Sequence, residues 1–596
     1  MALDILTGVQ DSATDYTQYP RPSGQYQFEI RKSEELSKLA GWLKGQEYYL
    51  VNMTASDERP LRAHAHKMYY TFSGGERRDQ PAGGKEQNLV ILSYPLEPRF
   101  ANHYPSISEY FPTAHFYEQE IYDMFGLEPY PELPLRDRGL FLHRSVFPPD
   151  LDPLSREPLR EWLSAVGAAD LVKPDYLKRL RAGHTVLVGP IHALIIGGGL
   201  FLFYIEGEEI IQSVRAVLGF QHRGVEKLAE SYSLLEVPML AERVAGDTSV
   251  AYSAAACEAI EQAVGLTEDV PAAALYYRAL ILELERICNH IGDIANSFQG
   301  ISGNPFAPRL SSLWEAACQL CQYITCQPGE KPTRNPNFLL RGINQIGGVR
   351  FPGQADVYFP GHLDIEFVSN RIQRITDEFR RVALGGLHDR SHNLRFDGCG
   401  ILSKEQAKIM ATGVMARASD VERDFRLWHP QPPYNDNEIR QQLEETVAKE
   451  LTGTDRLAAV YKGHLERGAL SRLTLRVAEV ETSTRIIHRL INWLQTHQRE
   501  PICLPQERVT EAIEDTDPHA LGIGIAESWR GEVVCQVWKG PGDRIYRLNF
   551  RDPSAINWQA LQLAVAFNAN TGNRNLFPDF PVLNKSVNPS YPGVSK

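Results

Sequence analysis

Glu283-Leu284-Glu285-Arg286-Ile287-Cys288-Asn289-His290-Ile291-Gly292-Asp293 lies inside a run, Ala272 to Asn296, whose polar and apolar residues recur at helical spacing. Glu283, Arg286, His290 and Asp293 follow one another at intervals of 3, 4 and 3, which aligns acid, base, imidazole and acid along one helix face. Leu275, Leu280, Leu282, Leu284, Ile287, Ile291 and Ile294 occupy the other faces, so the helix is apolar nearly all round. Such a helix is expected to be mostly buried. Its titratable stripe then lines a polar cavity or proton path, faces solvent, or closes on itself as internal salt bridges. The spacing alone leaves all three open.

Outward from this helix, the pattern stays mainly helical. Ser312 to Thr325, Asp364 to Leu387, Lys404 to Arg417 and Arg456 to Thr496 carry helical periodicity, the last flanked by Gly453 and Pro501. Near the end, Glu532 to Trp538 and Arg544 to Phe550 alternate like two strands joined by the turn Gly540-Pro541-Gly542-Asp543. Glu527, Arg530, Glu532, Arg547 and Arg551 gather there, either as cross-strand ion pairs or as the lining of a redox cavity. Residues 184–215 read as a hairpin. Its uncharged stretch, Thr185 to Ile205, is long enough to span a bilayer, but Gly189-Pro190 and Gly197-Gly198-Gly199 cut it into strand-sized pieces. The triple glycine opens no G-x-G-x-x-G helix, so it reads as a turn, and no dinucleotide fingerprint is present. Upstream, residues 25–145 form a smaller unit with strands at Tyr48 to Met53 and Asn88 to Tyr94 and a helix at Ser33 to Leu43. A Pro-, Asp- and Arg-rich linker over 146–180 precedes the large domain, 181–596. The fold class is therefore α+β: a small α+β domain, then a mostly helical one with terminal β segments.

The chain has 596 residues and a formal net charge of -12, which excludes the basic stripe a nucleic-acid partner needs. Its first 21 residues carry Asp4, Asp11 and Asp15 and no apolar core, so no secretory signal is expected. Eight cysteines are sparse for this length and suit free thiols in a reducing compartment. Cys318-x-x-Cys321 has no second pair to complete four ligands, so these thiols read as small buried hydrophobes rather than a metal or iron–sulfur site.

Several short motifs then fall into one family order. Tyr117-Glu118-Gln119-Glu120-Ile121-Tyr122-Asp123-Met124-Phe125-Gly126 resembles the E-R-E-x-x-D-M-F-G signature of the small peripheral-arm subunit of respiratory complex I, with Gln119 in place of Arg. Gly189-Pro190-Ile191-His192, Gln221 to Lys227, Glu283 to Asp293, Arg417-Ala418-Ser419 with Asp424 and Arg426, Glu527 to Glu532, and Asp579 to Ser586 resemble the large subunit shared by complex I and membrane-bound energy-converting nickel–iron hydrogenases. The fused arrangement is most similar to the formate-hydrogenlyase type.

The resemblance also marks what is missing. The family holds nickel and iron with R-x-C-G-x-C and D-P-C-x-x-C, and here Ala245, Thr248, Ser590 and Gly593 stand at the four cysteine positions. Soft thiolates are what such a cluster needs, and alanine and glycine side chains cannot coordinate at all. The complex I branch places a quinone-binding histidine and tyrosine where Ile196 and Gly246 stand here, and hydrogenases place a proton-transfer glutamate at Gly197. By motif position, the resemblance leaves His192, His222, Arg243, Asp247, Thr248, His290 and Asp293 as candidate functional residues. It implies no cofactor bound by this chain, an iron–sulfur cluster on a partner subunit near 189–248 and 527–593, and antiporter-like membrane-arm partners. It implies a peripheral place on the cytoplasmic face of the membrane. Two readings follow: a redox subunit using the vacated cavity for a quinone or another acceptor, or a non-catalytic scaffold and coupling subunit of an ion-translocating complex.

Overall fold

The computed structural model describes residues 2–19, 21, 24–59, 66–76, 87–96, 102–131, 152–154, 184–192, 197–207, 209–301, 305–326, 339–354, 356–359, 364–447, 467–568 and 575–596. The chain divides into two compact units, one made of Met1–Leu202 with Ala216–Arg223 and Ser595, the other of Phe203–Arg215 with Gly224–Val594 and Lys596. The 146–180 linker lies almost entirely outside the described residues.

In the first unit, helix α1 (Ala2–Ser12) precedes strands β1 (Tyr16–Tyr19) and β2 (Gln25–Ile30), and helix α2 (Ser33–Gly45) leads to β3 (Tyr49–Asp57), β4 (His66–Glu76) and β5 (Gln87–Pro95). These strands form one sheet in the order β1-β2-β5-β4-β3, with β2 parallel to β5 and β4 antiparallel to both its neighbours. Strand β5 is buried through Leu89, Val90, Ile91 and Leu92, as a near-continuous apolar run requires when both faces are covered. Two short strands, β6 (His103–Pro105) and β7 (Glu128–Tyr130), pair in parallel around helix α3 (Ala114–Phe125), which carries the first-unit motif. Gly126 ends α3 in the left-handed conformation a glycine C-cap supplies. Inside the motif, Tyr117 donates to Val51 O at 3.1 Å and Ser106 donates to the buried Glu118 carboxyl at 2.7 Å. The motif therefore locks a helix to a sheet.

The 184–215 region is made of strands, β8 (Thr185–Val188), β9 (Leu200–Glu206) and β10 (Ile210–Val217), and the unit boundary crosses β9 and β10. Among the described residues no helix is long and apolar enough to cross a membrane.

The second unit is built round two 28-residue helices, α7 (Ala272–Gln299) and α12 (Ala469–Thr496). Before α7 come α4 (Val225–Ala229), α5 (Val237–Ala241) and α6 (Ser249–Ala263); between the long helices lie α8 (Ala307–Ile324), α9 (Ile365–His388), α10 (Gly413–Arg417) and α11 (Phe425–Trp428). An antiparallel sheet of β11 (Leu521–Ser528), β12 (Gly531–Lys539) and β13 (Ile545–Arg551) packs on α6, and α13 (Ser554–Val565), α14 (Phe580–Val587) and α15 (Tyr591–Ser595) close the unit.

Three departures from the sequence pattern have physical causes. The Lys404 to Arg417 periodicity is two helices, Lys404–Met410 and α10, because Gly413 at φ +57° brings its backbone against Arg530, where a Cβ would meet the carbonyl oxygen at 2.0 Å. The described part of the Arg456 to Thr496 helix starts only at Ala469, because the extended Gly468 runs against Cys399, where a Cβ would lie 2.6 Å from its carbonyl oxygen. Strand β11 carries Gly522 and Gly524, which hid it from an alternation pattern; both lie against the backbone of α6.

Candidate functional site

The vacated metal positions all belong to the second unit. Ala245 is fully buried, and the 3-10 turn Gly246–Thr248 carries the chain into α6. Thr248 gives α6 no side-chain cap; the Glu285 carboxyl group of α7 takes that part, accepting from Val250 N at 2.7 Å. Facing this turn, Ser528 to Gly531 link β11 to β12. Ser528 Oγ donates to Gly531 O at 2.7 Å and accepts from Arg530 N at 3.2 Å, while Gly531 at φ +136° lets the turn close.

That turn aims the Arg530 side chain between the two former metal-binding segments. Its guanidinium makes a bidentate pair with Asp247, at 2.8 and 2.7 Å, and donates to Thr248 Oγ1 at 3.0 Å. Its Nε donates to Asn588 O at 2.6 Å, and the group lies 3.8 Å from the centre of the Trp529 ring. Trp529 Nε1 and Asn289 Nδ2 fix the Asp247 backbone carbonyl at 2.9 and 2.8 Å. Burial opposes ionisation of Asp247, but the Arg530 guanidinium outweighs it and holds the carboxyl below its usual range.

The C-terminal pair is equally committed. Ser590 caps α15, its Oγ accepting from Gly593 N at 2.9 Å, and its own N–H donates to Ser554 Oγ at 2.8 Å. A Cβ on Gly593 would stand 2.1 Å from Asp552 Oδ2. That carboxylate is held in place by Tyr252 OH at 2.7 Å and Ser554 N at 2.7 Å. Nickel and iron therefore do not fit: two of the four positions offer no donor atom, the hydroxyls of the other two are in use, and a guanidinium bridges the segments the metal would join. Among the described residues no group of three His, Cys, Asp or Glu side chains is placed to hold a metal ion.

Putting the thiols back should not be enough. A chain carrying Ala245→Cys, Thr248→Cys, Ser590→Cys and Gly593→Cys is expected to bind cobalt(II) at least about tenfold more weakly than one that also carries Asp552→Gly and Arg530→Met. Thiolate-to-cobalt absorption in a titration measures the difference.

The α7 stripe does not face solvent. Glu283, Arg286, His290 and Asp293 are 0, 1, 0 and 3% exposed. Glu283 is the hub: it accepts from Arg286 Nε at 3.1 Å, Arg426 at 3.0 Å, Tyr434 OH at 2.7 Å and Ser483 Oγ at 2.6 Å. Burial works against this charge, yet Arg286 and Arg426 prevail and bring its carboxyl down to about 2. Arg426 also grips Asp424 at 2.9 and 2.6 Å. Arg417 joins Glu479 at 2.9 Å to Glu527 at 2.7 Å, and His290 Nε2 meets Glu479 at 2.7 Å. Asp293 pairs with Arg476 Nε at 3.1 Å and accepts from Asn588 Nδ2, so it shares Asn588 with Arg530. Burial lifts the Asp293 carboxyl to about 6 against the pull of Arg476. Of the terminal-strand charges, Glu532 pairs with Arg551 at 2.9 Å across β12 and β13, and Arg547 with Glu226 at 2.8 Å.

The remaining candidates stand apart from this network. In the first unit His192 Nε2 contacts Gly199 O at 2.7 Å, and Gly189 at φ +95° passes so close that a Cβ would meet that same oxygen at 2.2 Å. His222 Nδ1 contacts Ser595 O at 2.5 Å. In the second unit Arg243 is exposed and donates to Met239 O. Ile196 lies outside the described residues; Gly197 is half-buried just ahead of β9 and carries no side chain that could transfer a proton. Cys288 and Cys318 approach to 3.5 Å between α7 and α8, buried among apolar side chains. The pattern missed Glu479, Arg476 and Asp552. The first two were visible: Arg472, Arg476, Glu479 and Ser483 recur at 4, 3 and 4 along one face of α12, the same spacing signal as in α7.

Residues 341–571 match the family model of the 49 kDa subunit of respiratory-chain NADH dehydrogenase, and residues 30–161 that of its 30 kDa subunit; between them they cover more than half of the chain. The chain is 25% identical to formate hydrogenlyase subunit 5 of Escherichia coli K12 over 93% of its own length and 84% of that protein. It is 24% identical to hydrogenase-4 component G of the same organism, over 91% and 83%. A chain of the membrane-bound sulfane sulfur reductase, an archaeal respiratory membrane complex, shares the fold with a TM-score of 0.55 at 20% identity, over 70% of this chain and 98% of that one.

Proposed function

We propose, from the premise that this chain belongs to the fused large-subunit family of complex I and the membrane-bound energy-converting hydrogenases, that its own centre serves coupling and assembly rather than hydrogen or quinone chemistry. It is a complex I-like, hydrogenase-related peripheral-arm subunit of a membrane respiratory complex. Within that class, the observation favouring the coupling role is the Arg530 guanidinium, which ties Asp247 and Thr248 to Asn588 across the gap where the family's metal would stand. Thr248, a hydroxyl donor a quinone headgroup could use, is thereby spent on Asp247 at 3.0 Å, and Asp247, held as a carboxylate, has no proton to donate.

Electrons would reach the assembly through an iron–sulfur subunit docked on this chain. Leu228, Leu235 and Met239 are 45, 41 and 53% exposed on neighbouring short elements just before the Arg243–Thr248 segment, the kind of apolar surface that marks a docking face. In this reading, the buried ionic lattice behind that face passes strain towards membrane-arm partners, including antiporter-like subunits, at the cytoplasmic face of the membrane.

The test is the intact complex, assayed for nickel, hydrogen uptake and reduction of a quinone analogue. The expected outcome is no nickel, no hydrogen uptake, and the same quinone-analogue rate, or absence of one, in His192→Ala. A loss of about tenfold or more in quinone reduction on His192→Ala, or one nickel per chain, overturns the reading.

A further inference from the structure

The lattice along α7 has one more carboxylate than guanidinium. Among the described residues its ion-pair contacts join Glu283, Asp424, Glu479 and Glu527 to Arg286, Arg417 and Arg426. All seven are at least nine-tenths buried. With every group ionised, one negative charge would remain where water cannot solvate it, and a buried group in that position takes up a proton instead.

The contacts single out which carboxylate does so. Glu283 receives two guanidiniums and two hydroxyls. Asp424 has Arg426 in a bidentate grip, with Arg417 at 3.7 Å. Glu479 has Arg417 and His290. Glu527 has one cation, Arg417, and one backbone donor, Phe425 N at 3.2 Å. The charges that face it include two acids, Asp424 from the segment before α11 and Glu532 from β12, besides Arg417 of α10 and Arg286 of α7. Glu532 is already matched by Arg551, and Arg423, which acts on Glu532, is bound to the carbonyls of Ala411 and Lys408. Burial, with Asp424 adding to it, raises the Glu527 carboxyl to about 7.

His290 offers a second place for a proton. Glu479 and Arg476 of α12 and Arg286 of α7 face it. Its Nε2 is engaged by Glu479, while its Nδ1 has no hydrogen-bond partner among the described residues. Burial lowers its affinity for a proton despite Glu479, so the imidazole rests neutral with that lone pair open.

We propose that the lattice is a proton-holding site, with one exchangeable proton on the Glu527 carboxyl and the Nδ1 lone pair of His290 as its alternative seat. Releasing the proton turns the carboxyl into a carboxylate; gaining one at Nδ1 turns His290 into an imidazolium that keeps its bond to Glu479. No electron moves in either step. The site depends on this chain alone and does not rest on the coupling role.

Infrared difference spectra of the full-length chain, taken across roughly pH 5 to 9, test this. Asp293, lifted to about 6, and Glu285 and Glu258, lifted to about 8, contribute protonated-carboxyl C=O bands of their own, so the wild type should show one further band, fading near neutral pH, that Glu527→Gln lacks while the others remain. Asp424→Asn should keep the band but weaken proton binding about tenfold or more, because three carboxylates would then balance three guanidiniums. Wild-type and Glu527→Gln spectra with the same set of bands, or an Asp424→Asn midpoint for the Glu527 band that stays or rises, overturn the proposal.

Discussion

Replacing Glu283 with alanine should lower the unfolding free energy of the second unit by about 3–5 kcal/mol, the cost of stranding buried guanidiniums. The side chain is fully buried and stands between Arg286 and Arg426, with Tyr434 and Ser483 completing its acceptor sites. Its removal leaves both guanidiniums facing each other without the charge that balanced them, and neither can turn to water. Glu283→Gln keeps the volume and most of the hydrogen bonds but not the charge, so it should fall between the two. Denaturant midpoints of the three proteins measure the order. Equal midpoints for Glu283→Ala and wild type would mean that the lattice does not hold α7 to α10–α12.

The same network fixes a pH dependence. The Glu283 carboxyl is brought from 4.5 down to about 2 against burial by Arg286 and Arg426. A lowered carboxylate stabilises the fold fully above 4.5, and the contribution is lost as pH falls through about 2. Glu285 and Glu258 run the other way: burial lifts each from 4.5 to about 8, so their contribution is present below 4.5 and is lost as pH rises through about 8. Stability of this unit should therefore be highest between those limits and decline on both sides.

The long elements were legible because their cause is local. A helix such as α7 writes its burial into a repeat, and the 3, 4, 3 stripe followed from spacing alone. What the stripe touches was not legible, since Glu479, Arg417 and Arg426 come from segments more than 120 positions away and no period links them to Glu283. The missing thiolates at 245, 248, 590 and 593 could be read by comparing motifs, but their replacement could not. Arg530 stood in view as part of Glu527 to Glu532, yet only the Gly531 turn shows that it reaches Asp247 and Asn588. Asp552 carries no signal at all: its effect on Gly593 is a matter of a 2.1 Å approach between segments that meet only in the fold. Strand β11 was invisible for the opposite reason, since its glycines suppress the alternation by which strands are recognised.

Those glycines carry the second large effect. Gly524→Val should cost at least about 3 kcal/mol, at the upper end of what forced packing usually costs, and Gly522→Val should be no milder. A Cβ at 524 would stand 2.0 Å from Ala255 O and 2.6 Å from Ala259 N, and one at 522 would stand 1.7 Å from Ala259 O. These are backbone atoms inside α6, so no side chain can rotate to make room and the strand itself must lift. Lifting β11 moves the turn that follows it, and with it Glu527 and Arg530, whose bonds to Arg417 and Asp247 lock the ionic lattice and the refilled metal position. Hydrogen exchange should therefore quicken in β11–β13 and also in the 243–248 and 588–593 segments, which do not touch the mutated residue. Gly45→Ala, where nothing lies within 4 Å of the added atom, serves as the control and should leave exchange unchanged. Faster exchange limited to β11 alone would mean that the turn keeps Arg530 in place without the strand's support.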